Sequence, residues 1–435
     1  MTLVEAQIDR IVGPTHHFGG LGVGNIASQQ HQGQTSNPRA AALQGLDKMR
    51  TVASLGVPQV ILPPQIRPPI DLLHDLGFTG SLTEILPQVA NDAPELLSAV
   101  MSSSAMWTAN AATVTASVDS AHGTPTMTVA NLSSSLHRAI EPQQTLCDLQ
   151  RLFASFATII APLPGGAAMR DEGAANHMRL GSDLESPGIH IFVYGDQAPL
   201  PHRFWPRQTL AACQAVARQH GLPPENTFFL KQHPETIDAG AFHNDVVAAS
   251  HHNLFLHHAS AYYRADDTLA QIQRRFDDLH ADGLRRIEIP ESELSRTDAI
   301  STYLFNSQIV SSSTDQRPTL LCPMQVAENS CAASIVQRWI DEGLFADAKF
   351  LELRQSMSGG GGPACLRLRV PMKTRELSDL KTSCQWSASL DRALRQVIQE
   401  DYPESLDRDD LTNWQIAEKC LAAARRIQDL LAPTR

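Results

Sequence analysis

A cysteine that follows a run of glycines is the residue of this sequence best suited to act as a nucleophile. Gly359–Gly362 precedes Cys365, and a strand is predicted from Cys365 to Val370. Glycines let a ligand approach the backbone closely, and a thiol on a rigid strand can be both exposed and oriented. A free thiol has a pKa of about 8.5, so this role needs a nearby histidine or a cationic substrate. A buried cysteine behind a tight turn is the alternative.

A histidine and an aspartate stand two residues apart in Phe242-His243-Asn244-Asp245. The run from Phe242 to Ser250 has the character of a strand, and residues two apart on a strand share one face. An imidazole and a carboxylate in one pocket would suit proton transfer and cation binding. A purely structural pair remains open as the alternative.

Further charged candidates lie in loop-like stretches. Glu172 belongs to an acidic run among small residues, DEGAANH, and Arg138, Arg179 and Arg207 lie among small or turn-forming residues. Arginine binds carboxylates through two parallel hydrogen bonds. Solvated surface groups are the alternative for all four side chains.

The glycine-rich stretch Gly19–Ser28 is predicted to be a mobile loop or lid. Gly22, Gly24 and Ala27 formally match a dinucleotide-binding fingerprint, but no strand clearly precedes them and SQQHQGQTSN does not indicate a helix. No lysine follows as in a phosphate-binding P-loop. Glycines permit hinge conformations, which favours the lid.

No metal site or disulfide framework is expected. Histidine pairs occur at 16–17, 251–252 and 257–258, and adjacent residues on a strand point to opposite faces. HExxH and Cys/His ligand spacings are absent from the sequence. The seven cysteines are odd in number and include no CxxC pair, which indicates reduced thiols.

The elements that must position these residues are short strands alternating with helices. Asn37 and Pro38 begin a helix that Gly56 ends, and Gln59–Leu62 follows as a strand. Adjacent strand pairs do not fit simple βαβ winding, so the pattern indicates an α/β or α+β fold. Further helices are predicted near 94–107, 208–220, 268–281 and 327–342 and over most of 387–431, and strands near 228, 242–250, 253–258, 286–289, 349–353 and 365–370.

The amino-acid composition is typical of a globular protein. Its 435 residues are 42% apolar and 19% charged, and the length alone suggests two or three domains. The net charge of −11 makes nucleic acid an unfavourable partner. The sequence has no apolar run of about 18 residues, so no membrane helix is predicted. The first residues carry Glu5 and Asp9 without an apolar core, so no signal peptide is expected and the cytoplasm is predicted.

Taken together, the motifs resemble those of the N-succinylarginine dihydrolases, within the guanidino-modifying pentein superfamily. They run in order from Gly13 to Val370, whereas the last sixty or so residues match loosely. The matching stretches are GPTHHFGGLGVGNIAS, SNPRAAALQGLDKM, MWTANAATV, TVANL with LHR, DEGAANHMRLG, FVYG, PRQT, FHNDVVA, STYLFNSQ and GGGPACLRLRV.

The resemblance implies a set of site residues. The catalytic ones are Cys365, His243 and Glu172. The family's asparagine six residues before the nucleophile is Gly359 here, so that side-chain contact is missing. The implied substrate contacts are Gly19, Gly20, Leu21, Gly22, Val23, Gly24, Asn25, Ile26, Ala27, Ser28, Asn110, His137, Arg138, Arg207 and Asp245.

The resemblance also implies an architecture. It is a pentein-type α/β propeller of five modules with pseudo-fivefold symmetry, formed by residues 1–435 as one domain with a helical end at about 387–435. A homodimer without cofactor or metal is expected, acting on a small molecule rather than on nucleic acid or a membrane.

These residue types suit attack on a guanidinium. Carboxylates at Glu172 and Asp245 can accept its N–H donors, Cys365 can attack the carbon, and arginines can bind the substrate's carboxylates. A second hydrolysis, giving succinylornithine, two ammonia and carbon dioxide, is implied by the resemblance alone. The alternatives are a single-hydrolysis arginine deiminase-type enzyme, a cysteine peptidase and a non-catalytic pentein binding module.

Overall fold

The computed structural model of this chain describes residues 3–311, 317–380 and 382–432. Within them, short strands form five three-stranded sheets. In chain order the strands are β1 (Leu3–Arg10), β2 (Gln59–Leu62), β3 (Ala112–Thr115), β4 (Thr126–Val129), β5 (Thr158–Ile160), β6 (His177–Leu180), β7 (Ile189–Tyr194), β8 (Thr227–Lys231), β9 (Ala248–His251), β10 (Leu254–His258), β11 (Arg285–Ile289), β12 (Gln308–Val310), β13 (Thr319–Pro323), β14 (Asp347–Leu351) and β15 (Arg367–Lys373).

All five sheets share one topology. Each has a central strand that pairs antiparallel with one neighbour and parallel with the other, in the orders β15-β1-β2, β3-β4-β5, β6-β7-β8, β9-β10-β11 and β12-β13-β14. A parallel pair needs a crossover. Helices supply it: Pro38–Ser54, Pro142–Phe153, Leu210–His220, Asp266–Leu279 and Ser330–Asp341.

The first sheet joins the two ends of the chain. β1 pairs with β15 from Leu3 opposite Lys373 to Asp9 opposite Arg367, so the strand that follows Cys365 is fixed against the N-terminal strand. This pairing explains why a residue near position 365 reaches a site whose other predicted members lie between Gly19 and Asp245.

The helix Pro38–Ser54 forms for local reasons. The Asn37 side chain accepts a hydrogen bond from the Ala40 backbone N–H at 2.7 Å, and Pro38 occupies the first turn. Leu46 and Met49 are buried in the main core, and Lys48 pairs with Asp9 of β1 at 2.5 Å. The predicted helix and the strand Gln59–Leu62 are confirmed.

Two predicted strands begin later than expected. The segment Phe242–Ser250 is not one strand: a 3-10 turn, Asn244–Val246, precedes β9. The turn forms because Asn244 receives a hydrogen bond from the Tyr262 hydroxyl at 3.0 Å and its own N–H donates to Asn176 Oδ1 at 2.9 Å. His243 and Asp245 therefore do not share a strand face. Cys365 likewise precedes β15 by two residues.

Other predictions hold with changed boundaries. The helices near 208–220 and 268–281 and the strands near 228, 253–258, 286–289 and 349–353 are confirmed, whereas the helices near 94–107 and 327–342 each divide into two pieces. The predicted helical end holds for Ala388–Asp401 and Trp414–Leu430, and 433–435 lie outside the described residues. The remaining α-helices are Ile26–Gln30, Ile70–Asp75, Leu82–Asp92, Pro94–Met101, Leu136–Ala139, Pro234–Asp238, Arg296–Thr302, Met324–Glu328, Arg354–Gly359 and Thr374–Asp379.

The length and polarity of the helices bear on the membrane question. Across the described parts of the chain, none is at once long enough and apolar enough to cross a bilayer.

Candidate active site

The predicted residues Asn110, Glu172, His243, Asp245 and Cys365 lie where the chain enters four of its five sheets. A short segment precedes the first strand of each: Thr108–Asn110 before β3, Gly173–Asn176 before β6, Asn244–Val246 before β9, Leu304–Asn306 before β12, and Cys365 before β15. Because the sheets share one topology, these segments occupy equivalent places, and hydrogen bonds show that they meet.

Five hydrogen bonds link the segments into a closed ring. We call this the central ring: Ala109–Asn110, Glu172–Asn176, His243–Asp245, Asn306 and Ala364–Cys365. Each bond joins neighbours from different sheets, so the ring depends on the whole fold. The bonds run from Ala109 N–H to Cys365 O (3.0 Å), Asn110 Nδ2 to Glu172 O (2.8 Å), Asn244 N–H to Asn176 Oδ1 (2.9 Å), Asn306 Nδ2 to Asp245 O (3.2 Å) and Cys365 N–H to Asn306 Oδ1 (3.2 Å).

The thiol of Cys365 lies beside a carboxyl group. Cys365 is 3% exposed, and its Sγ donates to Asp245 Oδ2 at 3.6 Å. Burial and the neighbouring Asp245 raise the pKa of Cys365 well above its ordinary value. Burial raises the pKa of Asp245 to about 7, although the Cys365 and Asn306 hydrogen bonds oppose this shift. The thiol and the carboxyl group therefore resist losing their protons until a cation binds beside them.

His243 is oriented by Glu172. His243 Nε2 lies 2.9 Å from Glu172 Oε2, while its buried Nδ1 has no hydrogen-bond partner among the described residues. An ionised carboxylate only accepts, so Nε2 carries the hydrogen and Nδ1 keeps a lone pair. Burial lowers the pKa of His243 to about 4, despite Glu172. The imidazole is therefore a neutral base at pH 7.

Glu172 already accepts hydrogen bonds from three protein donors. It is fully buried and accepts from Ser134 Oγ and Arg138 Nη1 as well as from His243. Burial raises its pKa, but Arg138 and His243 outweigh this and hold the pKa far below its ordinary value. Both oxygens of this carboxylate therefore have protein partners, and the helix Leu136–Ala139 places Arg138 against it.

Asn25 connects the two glycine-rich motifs. Its Oδ1 accepts from Ser28 N–H at 3.0 Å, and its Nδ2 reaches Gly359 O at 3.3 Å and Gly360 O at 3.2 Å. Gly360 has φ +94°, and a Cβ there would lie 1.9 Å from Asn25 Nδ2, so only glycine fits. The expectation that no helix follows the first motif is wrong, since Asn25 caps the single turn Ile26–Gln30.

Arg207 holds the same loop from the other side. Its Nη2 and Nε donate to Val23 O at 2.6 and 3.2 Å, and its guanidinium stacks over the Phe242 ring at 4.5 Å. Burial lowers the pKa of Arg207 to about 10, which leaves it charged at neutral pH. The loop Gly19–Ser28 is thus fastened over the ring at Val23 and Asn25.

A cleft lies between this loop and the central ring. Six of the predicted residues do not line the cleft. In the loop, the Val23 carbonyl faces Arg207, Gly24 packs near Phe204, and Ile26 and Ala27 line a neighbouring cavity. Glu172 and Asp245 lie behind Arg138, His243 and Cys365. The predicted residues that line the cleft are Gly19, Gly20, Leu21, Gly22, Asn25, Ser28, Asn110, His137, Arg138, Arg207, His243 and Cys365.

Comparison with known proteins identifies the family. The family model of succinylarginine dihydrolase matches residues 2–434. This chain belongs to the succinylarginine dihydrolase family. It is 44% identical over 416 residues to N-succinylarginine dihydrolases of Yersinia pestis (strain Pestoides F) and Yersinia pseudotuberculosis (serotype I), covering 94% of this chain and 93% of each relative.

Solved structures show the same fold at low identity. The N-terminal domain of ArgZ, an arginine dihydrolase from cyanobacteria crystallised with its product, is 14% identical, with a TM-score of 0.54 over 84% of this chain and 97% of that domain. AgrE with ornithine and NAD+ is also 14% identical, with a TM-score of 0.54 over 85% of this chain and 40% of that protein. The succinylarginine dihydrolase family therefore shares an α/β fold with these proteins.

The resemblance leads us to expect asparagine at the position of Gly359. A Cβ at Gly359 would lie 2.9 Å from Cζ2 of Trp107, whose ring fills that side of the cleft. Trp107 Nε1 donates to Ser356 Oγ at 3.1 Å and is held there. The aromatic ring therefore occupies space that an asparagine side chain would need.

Several residues of the site had no role assigned from sequence. Asn306 is part of the central ring, Ser134 donates to Glu172, and His16, Trp107 and Phe242 line the cleft. Four of them lie in or beside motifs already noted, since His16, Trp107, Phe242 and Asn306 belong to GPTHHFGG, MWTANAATV, FHND and STYLFNSQ. Ser134 carried no signal beyond its position between TVANL and LHR.

Proposed function

We propose that this protein hydrolyses N2-succinyl-L-arginine with two waters to N2-succinyl-L-ornithine, two ammonia and carbon dioxide, as part of arginine catabolism by the succinyltransferase pathway. The observation that carries the proposal is the arrangement at Cys365. Its thiol contacts Asp245 at 3.6 Å and shares a cleft with His243, whose Nδ1 has no protein partner among the described residues.

Asp245 is the group we assign to the guanidinium. Its Oδ1 is buried without a hydrogen bond among the described residues, so it can accept an N–H donor. A cation placed beside Asp245 and Cys365 lowers both pKa values, because it stabilises the charged form of each. Substrate binding would thus generate the thiolate next to the carbon that it attacks.

The arginines and His137 are assigned to the succinyl half of the substrate. Arg138 and Arg207 line the cleft, and the Nε of Arg138 is buried without a partner among the described residues. N-succinylarginine carries two carboxylates, which the planar guanidinium groups can bind. The loop Gly19–Ser28 contributes backbone contacts over the bound molecule and excludes bulk water.

The first hydrolysis uses Cys365 and His243. His243 Nδ1 takes the thiol proton as the thiolate attacks the guanidinium carbon, and the imidazolium then protonates the departing ammonia. The C–N bond breaks and an amidino-thioether on Cys365 remains. His243 next deprotonates water, which adds to the same carbon, and the thiolate leaves to give the ureido product.

The second hydrolysis repeats these steps. The thiolate attacks the ureido carbon, a second ammonia leaves, and water releases a carbamic acid that decomposes to succinylornithine and carbon dioxide. Glu172 serves both cycles by fixing the tautomer of His243 and stabilising its imidazolium form. Its contact with Arg138 also holds that arginine at the cleft.

We further propose how the whole molecule is organised. The five sheets of one topology and the closed central ring support a pentein-type propeller with pseudo-fivefold symmetry. The pairing of β1 with β15 supports a single domain over residues 1–435. A cytoplasmic homodimer is proposed from the family resemblance alone. Light scattering of the purified protein tests the dimer.

Product analysis tests the reaction. Purified protein is incubated with N-succinylarginine, and ammonia and succinylornithine are measured together. The expected ratio is two ammonia per succinylornithine. One ammonia per ureido product would instead indicate the single-hydrolysis alternative, and release of peptides from casein would indicate a peptidase.

Cys365→Ser tests the nucleophile. We expect turnover to fall roughly a thousandfold or more while folding is kept, because serine preserves the shape but is a far weaker nucleophile at this buried site. Ammonia release measures activity, and thermal unfolding measures folding. Cys147→Ser, at an exposed thiol, is the control and is expected to keep full activity. Substantial activity in Cys365→Ser would refute the assignment.

A further inference from the structure

A second cavity lies on the opposite side of the central ring from the cleft. It has a volume of about 110 Å³ and reaches the ring at Ala109, Ala175, Asn244, Asp245 and Ala364, with Phe305 beside the ring. We call it the back cavity. These residues come from segments before four of the sheets and before β15, so the cavity is centred on the same ring as the cleft.

At three points of the ring, adjacent residues line different cavities. Asn110 lines the cleft and Ala109 the back cavity; His243 lines the cleft and Asn244 the back cavity; Cys365 lines the cleft and Ala364 the back cavity. The partition between the two spaces is therefore about one residue thick.

Asp245 and Cys365 form the partition at the reacting atoms. Cys365 lines the cleft, Asp245 lines the back cavity, and their side chains touch at 3.6 Å. Asp245 keeps some solvent exposure, whereas Cys365 is buried. The carboxyl group is thus the point where the back cavity meets the thiol.

The back cavity is open to solvent at its far end, where most of its charged side chains are paired. Glu5, Arg179 and His252 at its rim are partly exposed. Arg179 pairs with Asp119 at 2.5 Å, and Arg369 pairs with Glu5 at 2.7 Å. Arg367 also lines the cavity, and its buried Nε has no hydrogen bond within the described chain. Toward the ring the walls are mainly alanines, which leave room for small molecules.

The proposed reaction needs such a second opening. Two waters must reach the carbon bound to Cys365, and two ammonia and one carbon dioxide must leave it. The cleft mouth lies under the loop Gly19–Ser28, which is fastened by Asn25 and Arg207, and the succinyl chain would fill what remains. Water from that side is therefore blocked while the covalent intermediate exists.

We propose that the back cavity is the passage through which hydrolytic water reaches the Cys365 intermediate and through which ammonia and carbon dioxide leave. This inference rests on the proposed function. Water enters past Asp245, adds to the carbon, and gives its proton to His243 as the thiolate departs. The passage has room for water, ammonia and carbon dioxide, which are all small molecules.

Filling the back cavity tests the passage. Ala249→Phe and Val114→Phe each place a ring in this space at partly exposed positions that line it. Ala348→Phe, at a partly exposed alanine on β14, is the matched control. Steady-state kinetics with N-succinylarginine are combined with acid quenching and mass spectrometry of the intact protein, which measures the fraction of Cys365 carrying a covalent adduct.

The adduct fraction decides the outcome. Because thiolate attack needs no water but release does, blocked water entry lowers kcat by about tenfold or more, lowers KM in proportion so that kcat/KM stays nearly unchanged, and raises the adduct above wild type. Loss of activity without more adduct, or equal loss in Ala348→Phe, would overturn the passage, as would wild-type kinetics. If Ala249→Phe does not fold, Val114→Phe decides alone. Absence of succinylornithine formation by the wild-type protein would instead refute the proposed function.

Discussion

Replacing Glu172 by glutamine tests whether one buried carboxylate serves both structure and catalysis. Glu172 is fully buried and accepts from Ser134, Arg138 and His243, and its N–H donates to Gln208 Oε1 at 2.7 Å. Glutamine keeps the shape but removes the charge and turns one acceptor into a donor. Arg138, only 4% exposed, then loses its ionic partner.

The expected cost follows from this arrangement. Leaving a buried charge without its partner destabilises a protein by about 3–5 kcal/mol. Turnover should fall by about a hundredfold or more, since His243 loses both its fixed tautomer and the carboxylate that stabilises its protonated form. Urea unfolding measures the first effect, and ammonia release the second.

A double substitution separates the two roles. Glu172→Gln combined with Arg138→Met removes both charges, so we expect much of the lost stability to return. Turnover should stay low because His243 still lacks its acceptor. Arg138→Met alone is the control for the arginine's own contribution. An unchanged urea midpoint in Glu172→Gln, or recovery of turnover in the double variant, would refute the reasoning.

Three further predictions concern binding, pH and the Gly359 position. Arg207→Ala should raise KM by about 10- to 100-fold with little change in kcat, because a hydrogen bond to a charged group contributes about 1.5–3 kcal/mol to binding. An unchanged KM in steady-state kinetics would exclude Arg207 from binding a substrate carboxylate. A pH–rate profile should show kcat/KM falling as pH drops through about 7, because protonated Asp245 no longer holds a cation, while His243 stays neutral above about 4; a flat profile from pH 5.5 to 8 would contradict this. Gly359→Asn should lower the free energy of unfolding by about 1–3 kcal/mol, since its Cβ meets Trp107 at 2.9 Å, and an unaltered urea midpoint would show that the ring yields.

The neighbouring side chains explain why the two buried carboxyl groups of the site behave so differently. Glu172 has Arg138 and His243 against it, so its charge is compensated, whereas Asp245 has a thiol and an amide as its nearest partners and is held close to neutrality. The two carboxyl groups are therefore suited to different tasks. One orients the base permanently, and the other is ready for a cationic ligand.

Local signals in the sequence determined the elements whose causes are local. Asn37 and Pro38 begin a helix wherever the chain places them, and the apolar run Gln59–Leu62 forms a strand, so both were predictable. The motifs around Cys365, His243 and Glu172 likewise indicated the family, and the comparisons confirm that the chain belongs to it. The assignment of individual residues to catalysis stays a prediction.

Tertiary structure alone decided how those motifs combine. The turn at Asn244 depends on Asn176 and Tyr262, and Glu172 accepts a hydrogen bond from Arg138, 34 residues away. Asn25 meets Gly360 across 335 residues. Such contacts depend on which sheets lie side by side. The order of residue types along the chain does not show which distant segments meet. The sequence therefore named the chemical groups, whereas the packing of five sheets fixed which of them face a ligand and which face one another.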